Sequence, residues 1–192
     1  MTDLNHHVRE LHHRVKNNLQ IIVSLMNLKS RMLPPERQED IRFLREHVQA
    51  IAVVYRLAYG MDDMTTVPIG QLIEELISDF RQIRSIAVSQ IEMTDAGIVE
   101  TLNLDQAIAL GLYLASVVPP YLESAARAGR RVTISAGVKD RILTLSLKGG
   151  DEPNALMDPL AGRLRDSYAK QLKLVSAVPT ADAWLRLSLP LD

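Results

Sequence analysis

The chain has 192 residues, 47% of them hydrophobic and only 4% aromatic, with no cysteine and a formal net charge of -1. That length suits one compact domain or two small ones, with a core that Leu, Ile, Val and Ala must fill. The near-neutral balance gives no long-range pull toward nucleic acid or an anionic membrane, and the lack of cysteine excludes disulfides, Cys-based metal sites and thiol nucleophiles. No basic-then-apolar leader pattern opens the chain, and the longest apolar run, 107–122, is interrupted by Ser116 and Pro119–Pro120. The expectation is a soluble cytoplasmic protein with no nucleic-acid and no membrane partner.

Thr2 or Asp3 can cap a first helix that runs to about Met32. Leu4, Val8, Leu11, Val15, Ile22 and Leu25 recur at three- and four-residue steps, which predicts one buried stripe. At about 100° per residue, His13 lies roughly 170° from the centre of that stripe and His12 only about 80° from it. His6, Asn17, Gln20 and Ser24 share the outward face with His13, and Lys16 follows one turn on. Leu33-Pro34-Pro35-Glu36 breaks the helix, and a second follows with Ile41, Leu44, Val48, Ile51, Tyr55 and Ala58 in near-heptad steps. Two such helices form an antiparallel hairpin that cannot cover both apolar stripes alone. Pairing two copies into a four-helix bundle solves this, so a homodimer is expected.

Residues 60–68 read as a linker, dividing a helical domain, 1–62, from a second domain, 63–192. Ile69 to about Arg84 is expected to be helical and Ile86–Met93 a strand. Asn103 or Asp105 opens a further helix, which Pro119–Pro120 should kink or unwind because both lack an amide donor. Strands at 131–135 and 142–147 pair around a Lys139-Asp140-Arg141 turn, a helix runs from Pro159 to about Ser176, and Trp184–Pro190 closes the sheet. The fold class is α+β, with helices on a mainly antiparallel sheet. Two smaller motifs have plain readings. Arg127–Arg131 reads as a solvated helix end and turn, with partner docking as the alternative, and Gly149–Gly150 as a turn rather than a phosphate loop. Metal binding is not expected from the histidines at 6, 7, 12 and 13, because no pair sits at i,i+4 on one face.

His12-His-Arg-Val-Lys-Asn-Asn-Leu-Gln-Ile-Ile22, with Leu25 and Leu28 following, resembles the H-box of HWE-type sensor histidine kinases. Val48–Leu57 resembles that family's second dimerisation helix. The resemblance makes His13, directly before Arg-Val-Lys-Asn, the phosphoacceptor. From Ile69 onward the order of elements resembles the kinases' ATP-binding domain in degenerate form. Ser116 stands at the expected acidic position and Pro120 at the magnesium-asparagine position. Lys148-Gly-Gly-Asp-Glu-Pro replaces the adenine box, and 161–168 has one glycine where a glycine-rich lid belongs. A histidine-bearing bundle on such a domain is similar to the dimeric, ChpT-like histidine phosphotransferases of bacterial phosphorelays.

That resemblance implies a phosphoryl carrier with no cofactor of its own. ATP use is lost, and Mg²⁺ comes with the receiver domain of a response regulator, itself supplied by an upstream histidine kinase. His13 would be the nucleophile, needing a neutral, exposed imidazole. Lys16 at i+3 would offset the phosphoryl charge, and Asn17 at i+4 would hydrogen-bond the phosphate or align the receiver. Arg14, Gln20, Ser24 and His6 are the expected partner-binding residues, with Arg14 nearer the flank. Three rivals stand beside this reading: a sensor-type kinase with an unusual ATP site, a non-catalytic receiver-binding adaptor, and a receiver phosphatase using Asn17.

Overall fold

A computed structural model describes residues 2–34, 37–59, 65–95, 97–150, 159–180 and 183–191; within α1 the side chains at 2–9, 11–13 and 16 are outside that description, as are those at 95, 159, 176–180, 183 and 184. The chain runs α1 (Thr2–Met32), α2 (Gln38–Tyr59), β1 (Thr66–Pro68), α3 (Ile69–Ile83), β2 (Ile91–Asp95), β3 (Thr101–Asn103), α4 (Leu104–Arg127), β4 (Val132–Lys139), β5 (Ile142–Lys148), α5 (Pro159–Gln171), β6 (Ser176–Thr180) and β7 (Ala183–Pro190). The five-stranded sheet has the order β2-β4-β5-β7-β6, in which only the β2–β4 pair is parallel. This is an α+β fold, and the helical hairpin is followed by helices on a sheet.

The hairpin's two helices present more apolar faces than the sequence pattern suggested. On α1, Val15, Leu19, Val23 and Met26 are half-buried, whereas Ile22 and Leu25, expected in the buried stripe, are 41% and 60% exposed. They join Ile21, Leu28 and Met32 in a second apolar stripe, about 140° around the helix from the first by the 100° step. The reason is that α2 covers only one side of α1. On α2 the near-heptad residues Ile41, Val48, Ile51 and Tyr55 are half-buried and Leu44 is exposed, while the fully buried face is Ala50, Val53, Val54, Leu57 and Ala58. That face belongs to the same buried cluster as Leu72, Leu76 and Phe80 of α3 and Leu110 and Leu114 of α4. α2 therefore serves the hairpin with one face and the following helices with another. The boundary expected at 62/63 lies outside the described residues.

Helix α4 is apolar around its circumference because it is the central layer. Gly111 faces α2, where an added Cβ would meet Ala50 and Val54 at 3.6 Å, an ordinary packing distance. Its length and composition would fit a bilayer, yet most of it is buried inside the protein. Asn103 caps it, the Oδ1 accepting from the Gln106 amide at 2.9 Å. Helix α4 continues through Pro119 and Pro120, so of the expected kink or local unwinding the unwinding does not occur. Packing on both sides offsets the two missing main-chain donors, which cost the carbonyls at 115 and 116 their helical partners.

Three further differences concern strands. The segment expected as a strand from Ile86 begins with a left-handed Ser85 and a single 3-10 turn at Val88–Gln90, so β2 starts only at Ile91. Residues 66–68, taken as linker, form β1 and pair with β3 through Val67 and Leu102, bringing the starts of α3 and α4 together. Helix α5 ends at Gln171 rather than Ser176, and Lys173 takes a positive φ before β6. The β4–β5 turn falls as expected, with Asp140 and Arg141 both left-handed, as a tight two-residue hairpin requires.

Candidate functional site: one face of the first helix and the cleft beside α4

Position 13 lies in the upper part of α1. By the helical step it falls roughly 110° from both the α2-facing side and the exposed apolar stripe. That leaves it on the one side of α1 that neither covers, together with positions 17, 20 and 24. The side chains of His6, His13 and Lys16 are outside the described residues. Asn17, Gln20 and Ser24 are exposed, and the Ser24 hydroxyl donates to the Gln20 carbonyl at 2.8 Å. Arg14 is exposed on the flank, paired with Glu10 at 2.5 Å. By the helical step positions 6, 13, 17, 20 and 24 share one face, with position 16 about 60° to one side of position 13 and position 14 about 100° to the other.

The region where a nucleotide site was expected holds a cleft beside α4. Ser116 and Pro120 of α4 line a cleft of about 450 Å³ together with Phe43 and Glu46 of α2, Arg84, and Leu160 of α5. Glu39 and Asp40 stand in the same lining, so three carboxylates face one guanidinium there. A triphosphate would meet net negative charge. After β5, where an adenine box would follow, the Gly150 amide donates to the Tyr121 hydroxyl at 2.7 Å. An added Cβ at Gly150 would lie 2.9 Å from the Tyr121 ring. The glycine pair is thus spent on packing against α4.

Two buried polar groups hold α2 to this region, and neither stood out in the sequence. The first is Arg84, just past α3. Its Nε and Nη2 donate to Glu46 Oε1 and Oε2 at 2.6 and 2.9 Å, and its Nη1 donates to Glu123 Oε2 of α4 at 2.6 Å and contacts Glu39 Oε1 at 2.8 Å. Burial pushes the Glu46 carboxyl up, and Arg84 holds it back; Glu123, less buried, is drawn below its usual range by Arg84 and Arg127. The one available signal was spacing: Glu46 stands at i−4, i−7 and i−11 from Ala50, Val53 and Leu57, on the face that is buried.

The second is His47. Its Nδ1 lies 2.8 Å from the Phe43 carbonyl, which can only accept, so Nδ1 carries the proton and Nε2 accepts from the Ser116 hydroxyl at 3.2 Å. If His47 were protonated, Ser116 could turn its own proton to the Leu112 carbonyl, 2.9 Å away. Both charge states are hydrogen-bonded, so the difference between them is burial, which pushes the imidazole below its usual 6.5. The sign follows. With the folded value depressed, the unfolded chain binds more protons below about 6.5, and stability falls on acidification through that point. Thermal melts from pH 7.5 to 5.5 should show this loss, and His47→Gln should flatten it. An equal slope in the variant would remove His47 from the account.

Against this geometry the relatives can be weighed. The fold and the paired helices define a relation to histidine kinases: residues 10–84, which include His13, match the histidine-kinase family HisKA_2. More particularly, the chain is 29% identical over 181 residues to the sensor histidine kinase PdtaS of Mycolicibacterium smegmatis, covering 91% of this chain and 35% of that protein. It is 31% identical over 134 residues to PdtaS of Mycobacterium tuberculosis, covering 67% of this chain and 26% of that protein. It thus spans about a third or less of the sensor kinases it matches. In structure it resembles the histidine kinase domain of the Erythrobacter litoralis EL346 blue-light activated histidine kinase, with TM-score 0.61, 21% identity and coverage of 100% of this chain and 96% of that one. A second structure of that kinase gives TM-score 0.63 at 19% identity over 96% of this chain and 62% of the other. Part of the chain thus matches a histidine-kinase family and most of it aligns with a stretch of sensor histidine kinases, and the structural likeness concerns the fold.

Proposed function

We propose that this chain is a component of two-component signalling that carries a phosphoryl group on His13 and exchanges it with receiver-domain aspartates without using ATP. The observation that carries the proposal is the cleft beside α4, lined by three carboxylates and by Ser116 and Pro120, the two positions where the resemblance would put an acid and an amide. In the transfer step a neutral His13 nitrogen attacks phosphorus. The P–N bond forms as the P–O bond to the receiver's aspartyl carboxyl breaks, and the carboxylate leaves; the reverse step passes the group on. Lys16 would offset phosphoryl charge and Asn17 would align the group, while Gln20, Ser24, His6 and Arg14 would meet the receiver. The receiver is expected to bring its own Mg²⁺.

The relatives favour a second reading: a sensor-type kinase with an unusual ATP site, since 91% of the chain aligns with a protein of that name. On that reading His13 takes its phosphoryl group directly from ATP. Both readings use a homodimer. The exposed stripe Ile21, Ile22, Leu25, Leu28 and Met32 supports one, because a second copy laid along α1 would complete a four-helix bundle and leave position 13 uncovered.

The test is to incubate the purified protein with radiolabelled ATP, alone and then with a phosphorylated receiver and its kinase, beside His13→Ala. Label reaching the protein only through the receiver, and absent in the variant, is the expected result, with a solution mass of twice 21.4 kDa. Label taken directly from ATP would replace the relay by the kinase. Failure to acquire label by either route would leave an adaptor or phosphatase as the better account.

A further inference from the structure

The cleft of about 450 Å³ beside α4 takes its lining from α2, α4 and α5 and from Arg84. Short side chains leave it open: Ala115 and Pro120 of α4 and Ala161 of α5 give their helices little reach into it. Phe43 and Leu44 of α2 and Leu160 of α5 complete the apolar part, and Leu44 and Leu160 remain 47% and 55% exposed. Six lining residues are thus apolar, and the volume falls within the roughly 300–1,000 Å³ of small-molecule sites.

The charges in the lining are unequal. Glu39, Asp40 and Glu46 stand with one cation, Arg84. That guanidinium is already divided: Nε and Nη2 serve Glu46, and Nη1 is shared between Glu123 and Glu39. Asp40 meets Arg37 at 3.7 Å, beyond hydrogen-bond reach, and the two side chains are 74% and 71% exposed. Arg42 stands 3.7 Å from both Glu39 and Glu123, and Arg127 pairs with Glu123 at 2.6 Å, but neither arginine lines the cleft. What faces the space is an apolar surface beside an unbalanced acidic one. That sign disfavours a nucleotide and favours a cation.

We infer that this cleft binds a small amphipathic cation, its apolar body against Phe43, Leu44 and Leu160 and its one ammonium or guanidinium group at Glu39 and Asp40. The inference shares with the relay reading the premise that ATP does not occupy this region, and goes beyond it by giving the cleft a ligand of opposite charge. Both parts of the lining select this class. A neutral apolar molecule would gain nothing from the carboxylates, and a polyamine without an apolar body would leave Leu44 and Leu160 in water. Because the lining comes from three helices, a bound cation would fasten the second hairpin helix to α4 and α5.

The test titrates the nitrogen-labelled full chain at pH 7, followed by its backbone amide shifts, with 4-phenylbutylamine, 4-phenylbutanol and 4-phenylbutyrate. These share one apolar body and differ in charge; magnesium-ATP is the fourth probe. The amine should bind with a Kd of about 1 mM or tighter, at least about fivefold more tightly than the alcohol, with shifts at residues 43, 44 and 161. The butyrate should be weaker than either. Asp40→Lys, at an exposed position in the first turn of α2, should erase the amine's advantage and leave the alcohol unchanged. Leu160→Ser, also exposed, should weaken amine and alcohol alike by several-fold. Equal affinities for the three probes, an advantage that survives Asp40→Lys, an equal loss of amine and alcohol in that variant, no effect of Leu160→Ser, or no shift of these amides by the amine each overturns the inference and leaves the relay standing. Magnesium-ATP shifting the same amides overturns it too, and defeats the premise it shares with the relay.

Discussion

Arg84→Met should lower the unfolding free energy by about 3–5 kcal/mol, read from urea denaturation at pH 7. Arg84 and Glu46 have side chains only 2% and 1% exposed, and the guanidinium fork matches both carboxylate oxygens. Methionine fills much of the arginine's volume, so the loss is charge and hydrogen bonds rather than a cavity. What remains is a buried carboxylate whose only compensation has gone, with Glu39 and Glu123 facing it. The unpaired Glu46 should then take up a proton. A carboxyl whose folded pKa is raised contributes stability on the acid side and loses it as pH rises, so the deficit should shrink between pH 7 and 5. The double variant Arg84→Met, Glu46→Leu should recover most of it, because a matched apolar pair replaces a buried ion pair at little net cost. A single variant within 1 kcal/mol of wild type would show that the network contributes little to holding α2 against α3 and α4.

That network also marks where the sequence ran out as a guide. Periodicity found α1 and α2, because a helix repeats its apolar positions locally and each hairpin face has one neighbour. It misassigned Ile22 and Leu25, since a single stripe was drawn through residues that face two directions. The Asn103 cap and the Asp140–Arg141 turn were legible because their chemistry is short-range. Arg84, Glu46 and Glu123 were not, for they are 38 and more residues apart and look like ordinary surface charges until α3 ends against α2. Strand β1 is three residues long and pairs with β3, whose Leu102 lies 35 residues on from Val67, so no local pattern announces it. On the functional side, position 13 is a candidate drawn from a short motif and from a helical stripe that the structure redraws, which moves it from about 170° to roughly 110° from the buried side. The cleft beside α4 required knowing that α2 and α5 both line it.

Gly149→Ala should be the other severe change, costing about 2–4 kcal/mol, and it bears on what the glycine pair is for. Gly149 has φ +101, a region that residues with a Cβ rarely enter, and an added Cβ would sit 2.1 Å from the Arg131 carbonyl oxygen. Nothing flexible can yield there. Arg131 leads straight into β4, and Thr133 already pairs with Lys148, so relief means breaking the end of the β4–β5 ladder. The next residue holds the Tyr121 hydroxyl, and a shift of the turn would loosen the contact that fastens the sheet to α4. Gly97→Ala is the matched control: its φ is +67 with open space around it, so only the left-handed strain of about 1 kcal/mol applies. Thermal melts of the two variants separate steric from conformational cost. If Gly149→Ala were as stable as Gly97→Ala, the packing role would fail, and a turn free to move could again be read as a nucleotide loop, which would strengthen the kinase over the relay. A large gap between the variants means that Gly149 is committed to closing the β4–β5 end beside Tyr121, at the place where an adenine site would need open backbone.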